Sequence, residues 1–375
     1  MPSAPEVLLE SIRASALAIP FKLAFKHASA ERTATQSLWV ECRARGSLIG
    51  YGEGCPREYV TAESLDSAQR FVATHLDDWL AAVHDVDSLA AWVGLHGAEI
   101  DRNPAAWTAV ELALLDLMGQ HAGKSIEALL GLPELAGHFR YTAVIGDAPI
   151  PQFETQLAKY RKAGFRDFKI KLSGDVAKDR EKVRVLVGAG LTPQQVRADA
   201  NNLWRSADHA ISELSSLGFP FFALEEPLRA GDYEGLERVA ETLATKIILD
   251  ESLLRSAQLE QVAGFAERCI VNLRVSKMGG LLRSLELVRE IRRHGIGIIV
   301  GAHVGETSVL TRAALTVAQS ARDGLVAQEG AFGTHLLEHD VTAAPIMFGA
   351  GGVLEVGSAA FTARPGLGLT ITQAQ

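Results

Sequence analysis

Hydrophobic and polar positions alternate along Phe168-Lys169-Ile170-Lys171-Leu172, which predicts a short β-strand. Phe168, Ile170 and Leu172 share one face and the two lysines share the other. Further along, polar residues recur at the ends of apolar runs. Asp199 ends Val196-Arg197-Ala198, Glu225 ends Phe221-Phe222-Ala223-Leu224, and Asp250 ends Ile247-Ile248-Leu249. Lys277 follows residues 270–276, His303 ends residues 298–302, and Glu329 follows Leu325-Val326-Ala327. From Lys171 the successive steps to these six are 28, 26, 25, 27, 26 and 26 residues. That period accommodates a strand, a helix and two short loops, and helix-like segments such as residues 282–293, before Gly295, lie between the apolar runs. Strand–helix alternation predicts a parallel sheet. About eight such units closed on themselves make a barrel, in which the C-terminal strand ends converge on one mouth. Scattered residues then become one site.

The first part of the chain, to about residue 130, lacks this period. Leu38, Val40 and Cys42 alternate with Trp39, Glu41 and Arg43, a turn falls at Arg45-Gly46-Ser47, and a second run covers residues 48–53. This predicts a β-hairpin. Helical spacing follows over residues 62–83 and, more strongly, over residues 105–121, where Val110, Leu114, Leu117 and Met118 recur. Gly131-Leu132-Pro133 stops the next helix at Leu130. Strands followed by helices predict an α+β domain. The expected division is residues 1–137 as this domain, 138–345 as the barrel, whose first strand begins near Tyr141, and 346–375 as a glycine-rich tail returning to the first domain.

Composition narrows the function classes. At 375 residues two domains are expected, and 47% hydrophobic with 22% charged residues is an ordinary enzyme balance. A net charge of −8 argues against nucleic acid as a partner. Cys42, Cys55 and Cys269 have no close spacing, so neither a disulfide framework nor a zinc site is expected. A reducing cytoplasm is the natural compartment. Residues 1–10 lack a signal-peptide layout, and no run of about 18 apolar residues predicts a membrane span.

Asp199, Glu225 and Asp250 end three successive strands. Neighbouring strands lie about 4.8 Å apart, so the three acids face one small volume. Three carboxylates do not all stay ionised there without a cation, and oxygen-only ligation suits Mg²⁺. Lys171 precedes the acids and Lys277 follows them, so the two approach from opposite sides of the mouth. A lysine is a poor base near neutral pH unless neighbouring positive charge lowers its pKa; Lys169 and a divalent cation are candidates to supply it. A metal that binds a carboxylate also stabilises the enediolate left when the neighbouring α-proton leaves. Base, metal and opposite base together predict proton abstraction next to a carboxylate.

The chain resembles the enolase superfamily, in its muconate-lactonizing-enzyme subgroup, which includes dipeptide epimerases, N-acylamino acid racemases and o-succinylbenzoate synthases. The motifs carrying the resemblance are Lys169-Ile170-Lys171, Asp199-Ala200-Asn201, Glu225-Glu226-Pro227, Asp250-Glu251-Ser252 and Lys277-Met278-Gly279-Gly280. Gly50-Tyr51-Gly52-Glu53 and residues 111–116 add to it. The resemblance implies an α/β fold, a modified (β/α)₇β TIM barrel with an α+β capping domain built from the N-terminal part and the tail. It implies Mg²⁺ ligation by Asp199, Glu225 and Asp250, with Lys171 and Lys277 as the acid/base pair and Lys169 in support. The pairing of a lysine base with Mg²⁺ is general to this superfamily. A homo-oligomer is implied as well.

Departures from the pattern concern the substrate. Dipeptide epimerases usually carry Asp-x-Asp after the eighth strand to hold an amino group; here the stretch reads Gln328-Glu329-Gly330-Ala331-Phe332, which argues against a free-amine dipeptide. Arg274 stands where a lysine is common. A histidine such as His303 is similar to the mandelate racemase subgroup, yet Lys277 on the preceding strand does not fit that subgroup's His–Asp dyad. Residues 20–35 read as loops closing over the barrel, and Lys22, Lys26, His27 and Arg32 make them basic, which suits a second carboxylate or acyl oxygen on the substrate. Arg57, Glu58 and Tyr59 are candidates for the same lid. The expected substrate-binding set is Asn201, Lys22, Lys26, His27, Tyr59, His303, Glu306 and Glu329. Three functions remain open on the sequence: a racemase or epimerase of an N-substituted amino acid or dipeptide, a muconate cycloisomerase or o-succinylbenzoate synthase acting on a dicarboxylate, and a non-catalytic barrel that binds a small acid.

Overall fold

The protein is described here by a computed structural model covering residues 6–27, 30–357 and 361–372. Eight parallel strands stand side by side in chain order: Ala143–Ile145, Phe168–Lys171, Val196–Asp199, Ala223–Glu225, Lys246–Leu249, Cys269–Leu273, Gly297–Val300 and Leu325–Gln328. The sheet closes on itself, because Thr142 N–H donates to the Gln328 carbonyl at 2.8 Å beside a Tyr141–Gln328 bridge. Helical segments fill the seven connections, and among the described residues the eighth strand is followed by 3₁₀ turns, the first at Gly333–His335, and by no α-helix. This is a (β/α)₇β TIM barrel. The fifth connection, Ser256–Arg268, is 3₁₀ turns kinked at Phe265 rather than an α-helix.

Strand register explains what fills the barrel. Ala223, Ile248, Ile270, Ile299 and Ala327 form an apolar cluster of their own, separate from the main core. Side chains two residues apart on a strand share a face. The residues two further on are Glu225, Asp250, Asn272, Gly301 and Glu329. Lys169 pairs with Arg197 in register and Lys171 with Asp199, so the second and third strands carry charge at both levels. The apolar layer is thus the floor beneath a polar layer at the strand ends.

The cap packs on this barrel through the helix Pro104–Ala122 and through the chain that follows the cap's last strand. Leu9–Leu17, Ser37–Ala44 and Ile49–Gly54 form an antiparallel sheet with Ser37–Ala44 in the centre. Helix Pro104–Ala122 lies directly on the last strand. A Cβ on Gly50 would stand 2.1 Å from the Ala113 carbonyl oxygen, and one on Gly52 would stand 1.9 Å from that of Ala109. Alternate glycines meeting every fourth helical residue let the two backbones touch, which explains the Gly-Tyr-Gly-Glu motif. The helix is buried on nearly every side, from Pro104 to Gly119.

The hairpin, the two long cap helices (Leu65–Ala82 and Pro104–Ala122) and the helix Leu281–Arg293 agree with the sequence expectation to within a few residues. Two cap features differ. The strand Leu9–Leu17 went unread because serines and alanines blur its alternation. The stretch expected as loops at residues 20–35 contains paired strands, Pro20–His27 with Ala30–Ala34. The tail returns to the cap, with Ile126 N–H on the Gly366 carbonyl and Leu367 N–H on Asp116, and Val353–Glu355 also pairs with His138–Arg140 just before the barrel. Among the described residues no helix is long and apolar enough to cross a membrane.

Candidate active site

The charged layer is one connected network. Lys169 is buried, and its ammonium lies 2.7 Å from Glu225, 3.0 Å from Glu329 and 3.2 Å from Asp199. Burial alone pushes the Lys169 ammonium down, but Glu225, Glu329 and Asp199 outweigh it and hold its pKa well above the ordinary value. Lys169 is therefore a fixed cation. Lys171, one level higher, donates to Asp199 at 2.5 Å and to the Asn201 side chain at 2.8 Å. Asn201 lies in a left-handed turn (φ 47°) whose N–H donates to Asp199 at 3.0 Å.

Lys277 occupies the far side. It does not end a strand: the sixth strand stops at Leu273, and Lys277 sits on a single helical turn, Val275–Met278. Its fully buried ammonium donates to the Asp250 carbonyl at 2.7 Å, to the Asp250 carboxylate at 2.8 Å and to the Asn272 carbonyl at 2.8 Å. Arg274 also pairs with Asp250. Burial would raise the Asp250 acid, but Arg274 and Lys277 pull it well below the carboxylate range.

Among the described residues no three acids or histidines are gathered closely enough to hold a metal ion as they stand. Each acid instead carries a lysine or arginine partner. The donors still fit a hard divalent cation. Asp199 and Glu225 are in register on adjacent strands, and Asp250 stands two residues beyond Ile248, the register partner of Glu225. All three offer carboxylate oxygens. Burial and the neighbouring Asp199 push Glu225 up to about 8, against the pull of Lys169, so the lysines alone leave its charge under-compensated.

The remaining candidates divide. His303 is buried, not at a solvated rim; burial and then Arg274 and Arg57 hold it well below its ordinary pKa, so it is neutral. Its Nδ1 lies 3.4 Å from the Arg274 guanidinium. Glu306 turns back to accept the His303 backbone N–H at 2.6 Å, and burial pushes it up to about 8. Glu329 is engaged by Lys169 and lies 3.5 Å from Arg197. Lys22 is exposed and donates to the Thr334 carbonyl at 2.6 Å, outside the cluster. Tyr59 lies on the cap turn Glu58–Thr61, 40% exposed, with the Arg32 guanidinium 5.8 Å from its ring centre. The side chains of Lys26 and His27 lie outside the described residues.

Several residues take supporting roles that the sequence alone does not show. Glu226, in a left-handed conformation (φ 40°), accepts the N–H groups of Asp250 at 2.6 Å and Ser252 at 2.7 Å, and the Ser252 hydroxyl at 2.7 Å. The only signal was a second acid beside Glu225. Arg57, read as a lid residue, is buried and pins cap to barrel: it donates to the carbonyls of Gln36 and Pro56 at 2.8 Å and of Val304 at 3.0 Å. Glu53 accepts Thr307 N–H at 3.0 Å across the same boundary.

Residues 152–375 match the family described as "Enolase C-terminal domain-like", and the chain belongs to it. Its relatives mark it as an isomerase of the enolase superfamily. The L-Lys-D/L-Arg epimerase of Methylococcus capsulatus is 28% identical over 93% of this chain and 94% of the relative. The N-succinyl-L-Arg/Lys racemase of Bacillus cereus is 25% identical over 83% and 84%. Among solved structures, a dipeptide epimerase from Cytophaga hutchinsonii, complexed with Mg and D-Ala-L-Val, is similar with a TM-score of 0.83, 25% identity and coverage of 98% and 96%.

Proposed function

We propose that this chain is a Mg²⁺-dependent racemase or epimerase of an N-substituted amino acid, using Lys171 and Lys277 on opposite faces of one α-carbon. The observation that carries the reading is the placement of the two ammonium groups. Lys171 is bound to Asp199 at one end of the acid row, and Lys277 to Asp250 at the other. In this reading residues 1–137 and the tail 346–375 form the cap over a catalytic barrel at 138–345.

Asp199, Glu225 and Asp250 would hold the cation. When bound, it supplies Lewis-acid stabilisation of the negative charge that builds on the substrate carboxylate. The chain's own groups do the rest. Either lysine, once neutral, takes the α-proton from its own face, and the other returns one from the opposite face. Lys169, fixed as a cation, keeps positive charge beside Lys171. Lys277 draws its orientation from two backbone carbonyls. Names of relatives support an amino-acid derivative as substrate. The pairing of Glu329 with Lys169 leaves that acid engaged, which supports an acylated nitrogen over a free ammonium.

Proton NMR in D₂O tests this. N-acylamino acids, dipeptides and cyclic dicarboxylates are incubated with the protein, with and without Mg²⁺. The expected result is Mg²⁺-dependent deuterium uptake at the α-carbon of both enantiomers of an N-acylamino acid. Turnover of a cyclic dicarboxylate alone would favour the cycloisomerase reading, and binding without exchange in the whole panel would favour a non-catalytic barrel.

A further inference from the structure

We propose that Lys182 is a positioning residue for Lys171, acting through the Lys171 backbone; the inference rests on the two-lysine reading above. Lys182 lies on the barrel helix Val176–Gly188, and its side chain is fully buried. A lysine is rarely so placed without dedicated partners. Its ammonium has three N–H groups and three acceptors: the Lys171 carbonyl at 2.8 Å, Asp179 at 2.8 Å and Asp147 at 2.8 Å.

The first barrel strand ends at Ile145, opposite Ile170, so it stops one residue short of Lys171. Beyond the end of that strand, Lys182 supplies a donor to the Lys171 carbonyl. Asp179 fastens the chain just beyond, accepting Ser173 N–H at 3.0 Å, its hydroxyl at 2.8 Å and Gly174 N–H at 3.2 Å. Asp147, after the first strand, also pairs with Lys178 at 2.7 Å. One buried ammonium therefore ties the end of the first strand, the end of the second and the following helix. It fixes the Lys171 backbone, and through it the place of the Lys171 ammonium between Asp199 and Asn201. The three acceptors of Lys182 all lie on the Lys171 side, so the effect is confined to one face.

The test uses the full-length protein and the N-acylamino acid that the wild type exchanges fastest, with each enantiomer assayed separately in D₂O. Lys182→Met is expected to slow exchange of the enantiomer served by Lys171 by about ten- to a hundredfold, as displacement of a reacting group does, and to leave the other enantiomer unchanged. Lys182→Arg, which keeps a donor, should recover part of the loss. Asp147→Asn removes one surface partner without burying an unpaired charge and should slow the same enantiomer to a smaller degree, which keeps the test open if Lys182→Met fails to fold. Equal slowing of both enantiomers, or of neither, overturns the proposal. If the wild type exchanges neither, the two-lysine reading falls. The positioning claim is then decided by crystal structures of Lys182→Met and Asp147→Asn, and a Lys171 ammonium unmoved from Asp199 and Asn201 in both overturns it.

Discussion

The two sides of the barrel mouth hold a lysine by different means. Lys171 ends a regular strand, and its support comes from the barrel: Asp199, Asn201 and Lys182. Lys277 stands on a turn clasped between barrel and cap. Ser276, its neighbour, accepts the Cys55 N–H at 2.8 Å from the cap, and Thr108 of the long cap helix donates to the Val275 carbonyl at 3.3 Å. Behind the turn come Gly279 and Gly280, both at positive φ, where a Cβ on Gly280 would meet Glu111 at 2.4 Å. Glu111 in turn caps the helix Leu281–Arg293 by accepting the N–H groups of Leu281 and Leu282. A lysine on a strand inherits its position from the sheet. A lysine on a turn depends on whatever packs over the turn.

The largest effect expected is the separation of the two faces. Lys171→Ala should lose α-proton exchange of one enantiomer and Lys277→Ala that of the other, each by about 10²–10⁴-fold, and both should fail at net racemisation. Loss of both enantiomers in one mutant alone, with the other like wild type, breaks the comparison. Glu225→Gln should remove Mg²⁺-dependent turnover for both faces alike while the protein remains folded, because the apolar barrel layer lies below the acids; activity surviving excess chelator would argue against the metal.

Smaller effects probe the supports. Glu329→Gln takes one anion from Lys169 and should lower kcat by less than about tenfold with KM unchanged, whereas a rise in KM alone would make Glu329 a substrate contact. The smallest effect concerns the cap side. Burial pushes Glu111 up to about 7, against the N–H of Leu282, the Trp107 indole and the N–H of Leu281, which pull it down. A carboxyl raised in the folded state contributes stability that is fully present below its unfolded value, near 4.5, and lost as pH rises through about 7. Glu111→Gln should therefore flatten the fall in Tm over that window. Other carboxyls raised mainly by burial, Glu53, Glu63 and Glu251 to about 7 and Asp116 to about 6 among them, keep part of the slope in place. An unchanged slope would exclude Glu111 as its source.

The same contrast explains how much was legible beforehand. The Lys171 side was readable because strand alternation and the repeat both point at it, and Asp199, Glu225 and Asp250 fall within a residue of the strand ends. On the Lys277 side the repeat located the residue but not its setting. Gly279 marks where the turn ends, but the contacts from the cap that hold it are encoded by no local pattern. Lys22 looked like a lid cation from local charge, yet its partner, the Thr334 carbonyl, lies far along the chain. The roles of Lys182 and Glu226 were hidden for a related reason: a buried charged residue and an exposed one look alike until the partners around them are known.

The engagement of Glu329 carries a consequence for how this molecule can change. The acid after the final strand is bound to Lys169 and faces Arg197, so it belongs to the charge balance of the buried network. Altering it disturbs the setting of Lys169 whatever the substrate. The paired strands Pro20–His27 and Ala30–Ala34 are attached at the rim by main-chain contacts, such as Lys22 N–H on the Leu336 carbonyl at 2.8 Å, which are indifferent to side-chain identity. Main-chain attachment of this kind tolerates changes of side chain, so divergence among chains of this design should be written in the cap before it is written in the barrel.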